Sequence, residues 1–115
     1  MNPGDTFLLP DAFGTHLYIV LAKLDDGTVV FCHCTTSKKH TDNTCIIRPG
    51  EHEFAIRDTA VQYASAFDCS GDGLEKLVKS IIKPLPPLSA ELLARVRKGA
   101  LESSQTSDKI KTLLL

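Results

Sequence analysis

The residues best equipped for chemistry run from Cys32 to Cys45: Cys32-His33-Cys34-Thr35-Thr36-Ser37-Lys38-Lys39-His40, and then Cys45. Within this run Thr35, Thr36, Ser37, Lys38 and Lys39 supply three hydroxyls followed by two ammonium groups. Neutral donors beside mobile positive charge make a cradle for phosphate oxygens. The competing reading is an ordinary polar surface loop. His16 tips the balance toward a site. A hairpin that pairs Leu17–Ala22 with Val29–Cys34 brings His16, at its open end, near Thr35 and Thr36. An imidazole beside hydroxyls and cations is equipment for general acid–base work on a phosphodiester. His52 lies between two carboxylates in Gly50-Glu51-His52-Glu53-Phe54, which favours its charged form. It is either a second catalytic group or a residue that fixes the loop by hydrogen bonding.

Two other chemistries compete for the same cluster. Thiolate and imidazole are preferred zinc ligands, so Cys32, Cys34, Cys45 and a histidine form a conceivable structural zinc site. The spacing argues against it, because Cys32 and Cys34 share one strand face while His33 points to the other. No Cys-x2-Cys knuckle is present, so no metal is expected. A thiol nucleophile needs a neighbour that lowers its pKa, and Cys34 beside His33 and Lys38 has one only by contrivance. Buried cysteines serving as small apolar residues are the plainer reading.

The elements that must position these groups are mostly strands. Thr6–Leu9 is a short apolar run ended by Pro10, and Leu17–Ala22 is rich in branched and aromatic residues. Asp25-Asp26-Gly27 predicts the hairpin corner that leads into Val29–Cys34. Cys45–Arg48 is a further strand, stopped by Pro49-Gly50, and Ala60–Phe67 is the longest later one. Tyr63, midway along it, reads as a core residue with a bonded hydroxyl. The last third turns helical. Leu74, Leu77, Val78 and Ile81 recur at helical spacing, and Pro84, Pro86 and Pro87 form a stiff connector. Ser89 caps a helix buried through Leu92, Leu93, Val96, Ala100 and Leu101, with Arg95, Arg97 and Lys98 mostly on its other faces. Asp108–Leu115 adds a last amphipathic turn or two.

Composition sets the outer limits. The chain has 115 residues, 43% of them hydrophobic, which is enough for one domain over 1–115 with its own core and too apolar for intrinsic disorder. The net charge of −1 rules out a basic whole-protein field for nucleic acid. It conceals a split, because residues 1–80 carry 7 basic and 11 acidic side chains and residues 81–115 carry 6 and 3. Any nucleic acid would meet a local patch. No run approaches a membrane span, and Met-Asn-Pro-Gly-Asp lacks the features of a signal peptide. The expectation is a cytoplasmic protein with reduced thiols and no membrane partner.

The order of motifs resembles the small-barrel toxin superfamily of PemK, MazF, Kid and CcdB. Gly4-Asp5-Thr6-Phe7-Leu8-Leu9 resembles its opening strand, Val29–Ser37 its hydrophobic strand ending in Thr-Ser, Asp58-Thr59-Ala60-Val61 its following segment, and Leu88–Leu115 its closing helix. The resemblance implies a mainly β fold with a C-terminal helix, an SH3-like small β-barrel of the PemK/MazF type. It implies an endoribonuclease of a bacterial toxin–antitoxin pair that cuts single-stranded RNA without metal or other cofactor, forms a homodimer and binds a cognate antitoxin. Thr36 matches the functional threonine, while His16-Leu17 stands where the nucleases have Arg-Pro. Together with the residue reading above, the expected site has His16, Thr36 and His52 as catalytic groups, with Thr35, Ser37, Lys38, Lys39 and Arg48 on the substrate. Fixed charge then falls to Lys38, Lys39 or Arg48. The alternative is a non-catalytic CcdB-like module that binds a protein.

Overall fold

The corner at Asp25-Asp26-Gly27 organises the sheet. Gly27 takes φ +90°, in the left-handed region that glycine enters without strain. Its amide donates to the Leu24 carbonyl at 3.0 Å, and the Thr28 amide donates to Asp26 Oδ1 at 2.9 Å. The computed structural model describes every residue except Phe13, and of Asp11 the backbone alone. In it this corner joins β2 (Gly14–Lys23) to β3 (Val29–Thr36), preceded by β1 (Thr6–Asp11). β4 (Ile46–Ile47), β5 (Thr59–Cys69) and β6 (Lys83–Leu85) complete an antiparallel sheet in the order β4-β5-β3-β2-β1-β6. Bulges between Val20 and Ala22 and between Phe31 and His33 bend it, and the sheet curls into a half-barrel. Among the described residues there are three helices: α1 (Gly71–Lys79) lies between β5 and β6, and α2 (Ala90–Glu102) and α3 (Asp108–Leu114) follow β6. The chain is thus mainly β with a helical C-terminus.

Both faces of the central strands are covered, which explains the unbroken apolar run Leu17–Ala22. On one face Leu17, Ile19, Cys32, Cys34, Val61 and Tyr63 pack under Leu92, Val96 and Ala100 of α2 and Ile110 and Leu114 of α3. On the other, Phe7, Tyr18, Val20 and Phe31 pack with Leu74 and Leu77 of α1 and with Ile81 just beyond it. Ser89 and Ser107 cap α2 and α3, their hydroxyls accepting from the Leu92 and Ile110 amides at 3.1 and 3.2 Å. Arg97 is not a solvated charge. Its guanidinium donates to the Leu21 carbonyl and, at 3.4 Å, to the Leu114 carbonyl, tying both C-terminal helices to β2.

The proline-rich connector is the element that differs most from expectation. Lys83, Pro84 and Leu85 pair with Leu8, Phe7 and Thr6, and the Ile82 amide donates to the Leu8 carbonyl at 2.9 Å. Pro84 is tolerated because β6 is the sheet's edge, where a missing amide costs no ladder bond. Among the described residues, no helix is long and apolar enough to cross a membrane.

Candidate functional site

Where β2 begins and β3 ends, the sheet opens into a cleft of about 350 Å³. His16 and Thr15 reach it from β2, and Thr35 and Thr36 from β3; Phe54, Ile56 and Arg57 form a wall from the loop between β4 and β5. Cys34 and Thr59, both buried, lie at its base. The hairpin therefore brings His16, Thr35 and Thr36 to one cavity. The register refines their arrangement. Leu17 stands opposite Cys34 and Tyr18 opposite His33. Alternation puts His16 on the side of Tyr18 and Thr35 on the side of His33, so Thr35 shares the imidazole's side of the pleat. The His16 ring also lies 5.0 Å from that of His33, which lies 5.6 Å from Tyr18.

The remaining expected site residues lie outside the cleft's lining. The Ser37 hydroxyl donates to Asn43 Oδ1 at 2.9 Å. Lys38 and Lys39 are exposed just past Thr36, and the Lys38 carbonyl accepts from the Thr41 hydroxyl and the Asn43 amide. Arg48 is paired with Asp58 at 2.6 Å, which spends its charge on the base of the loop. His52 is 8% exposed, and its ring is bonded on both sides. Nδ1 accepts from the Phe54 amide at 3.1 Å, while Nε2 lies 2.8 Å from the Pro86 carbonyl and 3.3 Å from Thr6 Oγ1. The ring does not line the cleft and is bonded to the loop's own backbone, to β1 and to the connector after β6.

Arg57 is the residue that sequence reasoning passed over. It stands two positions before β5, next to the Asp58-Thr59 motif that drew attention instead. None of the ion pairs among the described residues involves it, so its guanidinium is available to the cleft. Phe54 and Ile56, also unforeseen, expose 38% and 79% of their surface beside it.

The cysteines behave as core. Burial pushes the Cys32 and Cys34 thiols well up, with Coulombic repulsion from Cys45 adding to the shift at Cys34, so neither forms a thiolate nucleophile near neutral pH. The Tyr63 phenol is likewise pushed up, first by burial, and its hydroxyl donates to the Val96 carbonyl at 2.7 Å. Among the described residues no three His, Cys, Asp or Glu side chains converge as metal ligands.

The cleft wall is tied to α2 by a bidentate contact. Arg95 Nη1 and Nη2 each donate to a Glu51 carboxylate oxygen at 2.7 Å, and Nη2 also donates to the Ile46 carbonyl. The hydrogen bond from Arg95, with a second from the Arg48 amide, holds the Glu51 carboxyl down to about 2 from its ordinary 4.5. A depressed carboxyl stabilises the fold fully above its unfolded value and loses that contribution as pH falls through the folded value. The urea midpoint of the wild type should therefore drop between about pH 4.5 and 2, and Glu51→Gln should flatten part of that drop. Equal slopes in the two proteins would remove Glu51 from the acid response.

Compared with protein-family models the chain matches none, and no curated protein matches its sequence.

Proposed function

We propose that this cleft cleaves single-stranded RNA by attack of the 2′-hydroxyl on the adjacent phosphorus, in an SH3-like small barrel of the PemK/MazF type. The carrying observation is that His16, Thr35, Thr36 and Arg57 line one cavity. His16 takes the 2′-hydroxyl proton as the P–O2′ bond forms. The P–O5′ bond breaks, and the leaving 5′-oxygen takes a proton from water in the open cleft. The products are a 2′,3′-cyclic phosphate and a 5′-hydroxyl. Thr35 donates to a non-bridging oxygen, Thr36 reaches a flanking phosphate from the other side of the pleat, and Arg57 supplies fixed positive charge against the negative charge that gathers on the non-bridging oxygens in the transition state. Lys38 and Lys39 extend the cationic track for the flanking phosphates. Phe54 offers an aromatic face to an unpaired base. In this reading the protein is the toxin of a toxin–antitoxin pair, a cytoplasmic homodimer whose protein partner is its antitoxin.

The test is incubation of the purified protein with end-labelled single-stranded RNA in EDTA. Fragments ending in 2′,3′-cyclic phosphate are expected. Intact RNA at micromolar protein would sink the reading. One observation favours a second one: Ile56 is the most exposed large apolar side chain at the cleft, as a rim that binds protein would have it. The CcdB-like alternative, a module that binds a protein target without cleaving RNA, then takes first place.

A further inference from the structure

We infer that His52 is a positioning residue whose Nδ1 atom sets the Phe54–Arg57 wall of the cleft. Phe54 and Ile56 are exposed, so packing does little to fix them, and the backbone that carries them needs another anchor. The anchor visible in the structure is a chain of hydrogen bonds through one imidazole. The Phe54 amide donates to His52 Nδ1 at 3.1 Å, the Ala55 amide donates to the His52 carbonyl at 3.0 Å, and Ala55 is itself buried. With Nδ1 accepting, the ring proton sits on Nε2 and points to the Pro86 carbonyl at 2.8 Å. Thr6 Oγ1, 3.3 Å from Nε2, donates to the same carbonyl at 2.8 Å. One ring thus links the cleft wall to β1 and to the connector after β6. Arg48–Asp58 and Arg95–Glu51 fasten the same loop from the surface, at its base. His52 fastens it from inside, two residues from the aromatic that faces substrate.

The two ring nitrogens have different duties, so two substitutions separate them. His52→Asn places an amide oxygen where Nδ1 stood and gives up the bond to Pro86. His52→Gln reaches the Nε2 position and gives up the acceptor for Phe54. The cleavage readout rests on the nuclease reading above; the exchange readout does not. Hydrogen exchange at the Phe54 amide should stay within about threefold of wild type in His52→Asn and rise tenfold or more, roughly, in His52→Gln. RNA cleavage should follow the same order, with a loss on the order of 10²-fold in His52→Gln and within about threefold of wild type in His52→Asn, whichever variant has the lower Tm. Losses that track Tm, or a Phe54 amide equally protected in both variants, would overturn the inference. A nitrogen-15 spectrum of the wild-type protein provides a check that requires no variant to fold: an unprotonated Nδ1 on His52 is expected, and a protonated one would overturn the assignment. A wild-type protein that cuts no RNA would sink the nuclease reading alone, because exchange and tautomer still decide the role of His52.

Discussion

His16→Ala should cut RNA cleavage by roughly 10²–10⁴-fold, the usual cost of losing a proton-transfer group, while leaving the Tm near that of the wild type. The ring is only half-buried, so truncating it removes little packing. Arg57→Ala should cost about 10²–10³-fold, as loss of a charge aimed at the developing oxyanion does elsewhere. Thr36→Val and Thr35→Val keep the side-chain shape and remove one donor each. Because Thr35 shares His16's side of the pleat, the Thr35 variant should lose at least as much as the Thr36 variant. Two residues acting on one phosphate are not additive, so His16→Ala combined with Arg57→Ala should be little worse than the weaker single variant. His40, exposed and outside the cleft lining, is the suitable control. His33 is not, because its ring lies 5.0 Å from that of His16. His16→Arg separates charge from proton transfer: retained cleavage with a flattened pH profile would mean that the position needs only charge. Full activity in His16→Ala would end the catalytic assignment.

Much of this arrangement was legible in the sequence, for local reasons. The Asp-Gly corner fixes the β2–β3 hairpin, and that hairpin alone carries His16 to Thr35 and Thr36. Alternation placed Cys32 and Cys34 on one face, where they meet the C-terminal helices. Capping by Ser89 and a stripe through Leu92 and Val96 located α2. What escaped depends on long-range contacts. Nothing local says that Pro84 pairs with Phe7; an edge position that only tertiary structure creates permits it. Nor does local sequence reveal that Arg48 is consumed by Asp58 while Arg57 faces the cleft. The two arginines flank one loop and differ only in how that loop folds back. The two roles left open for His52 could not be separated for the same reason. Its sequence neighbours are carboxylates, but its ring meets an amide, a carbonyl and a hydroxyl brought from three segments.

Gly99→Ala should destabilise the fold by about 3 kcal/mol, against the trend for glycine in a helix. In an open helix position the exchange gains up to about 1 kcal/mol from backbone entropy. Gly73 in α1 shows that case: an added Cβ would meet only Cys69 Sγ, at 3.5 Å, and Gly73→Ala should be stabilising. At Gly99 an added Cβ would lie 2.3 Å from Tyr63 Oη, 3.0 Å from its Cζ and 3.1 Å from Cys45 Cβ. These are core atoms with no room to yield. Tyr63 is fully buried and held by its bond to the Val96 carbonyl, one turn back on the same helix. Relieving the clash therefore shifts α2 from the sheet and breaks that bond, adding an overpacking cost of about 1–3 kcal/mol to an orphaned polar pair of about 1–3 kcal/mol. For a chain of this length the Tm should fall by roughly 10 °C. Tyr63→Phe deletes the oxygen that the new Cβ meets first. In the Gly99→Ala background it should therefore cost much less than it does alone, a coupling that a double-mutant cycle reads directly. Additive losses would mean that Gly99 and Tyr63 do not touch. A stabilising Gly99→Ala would mean that α2 does not sit on β5 as closely as the structure has it.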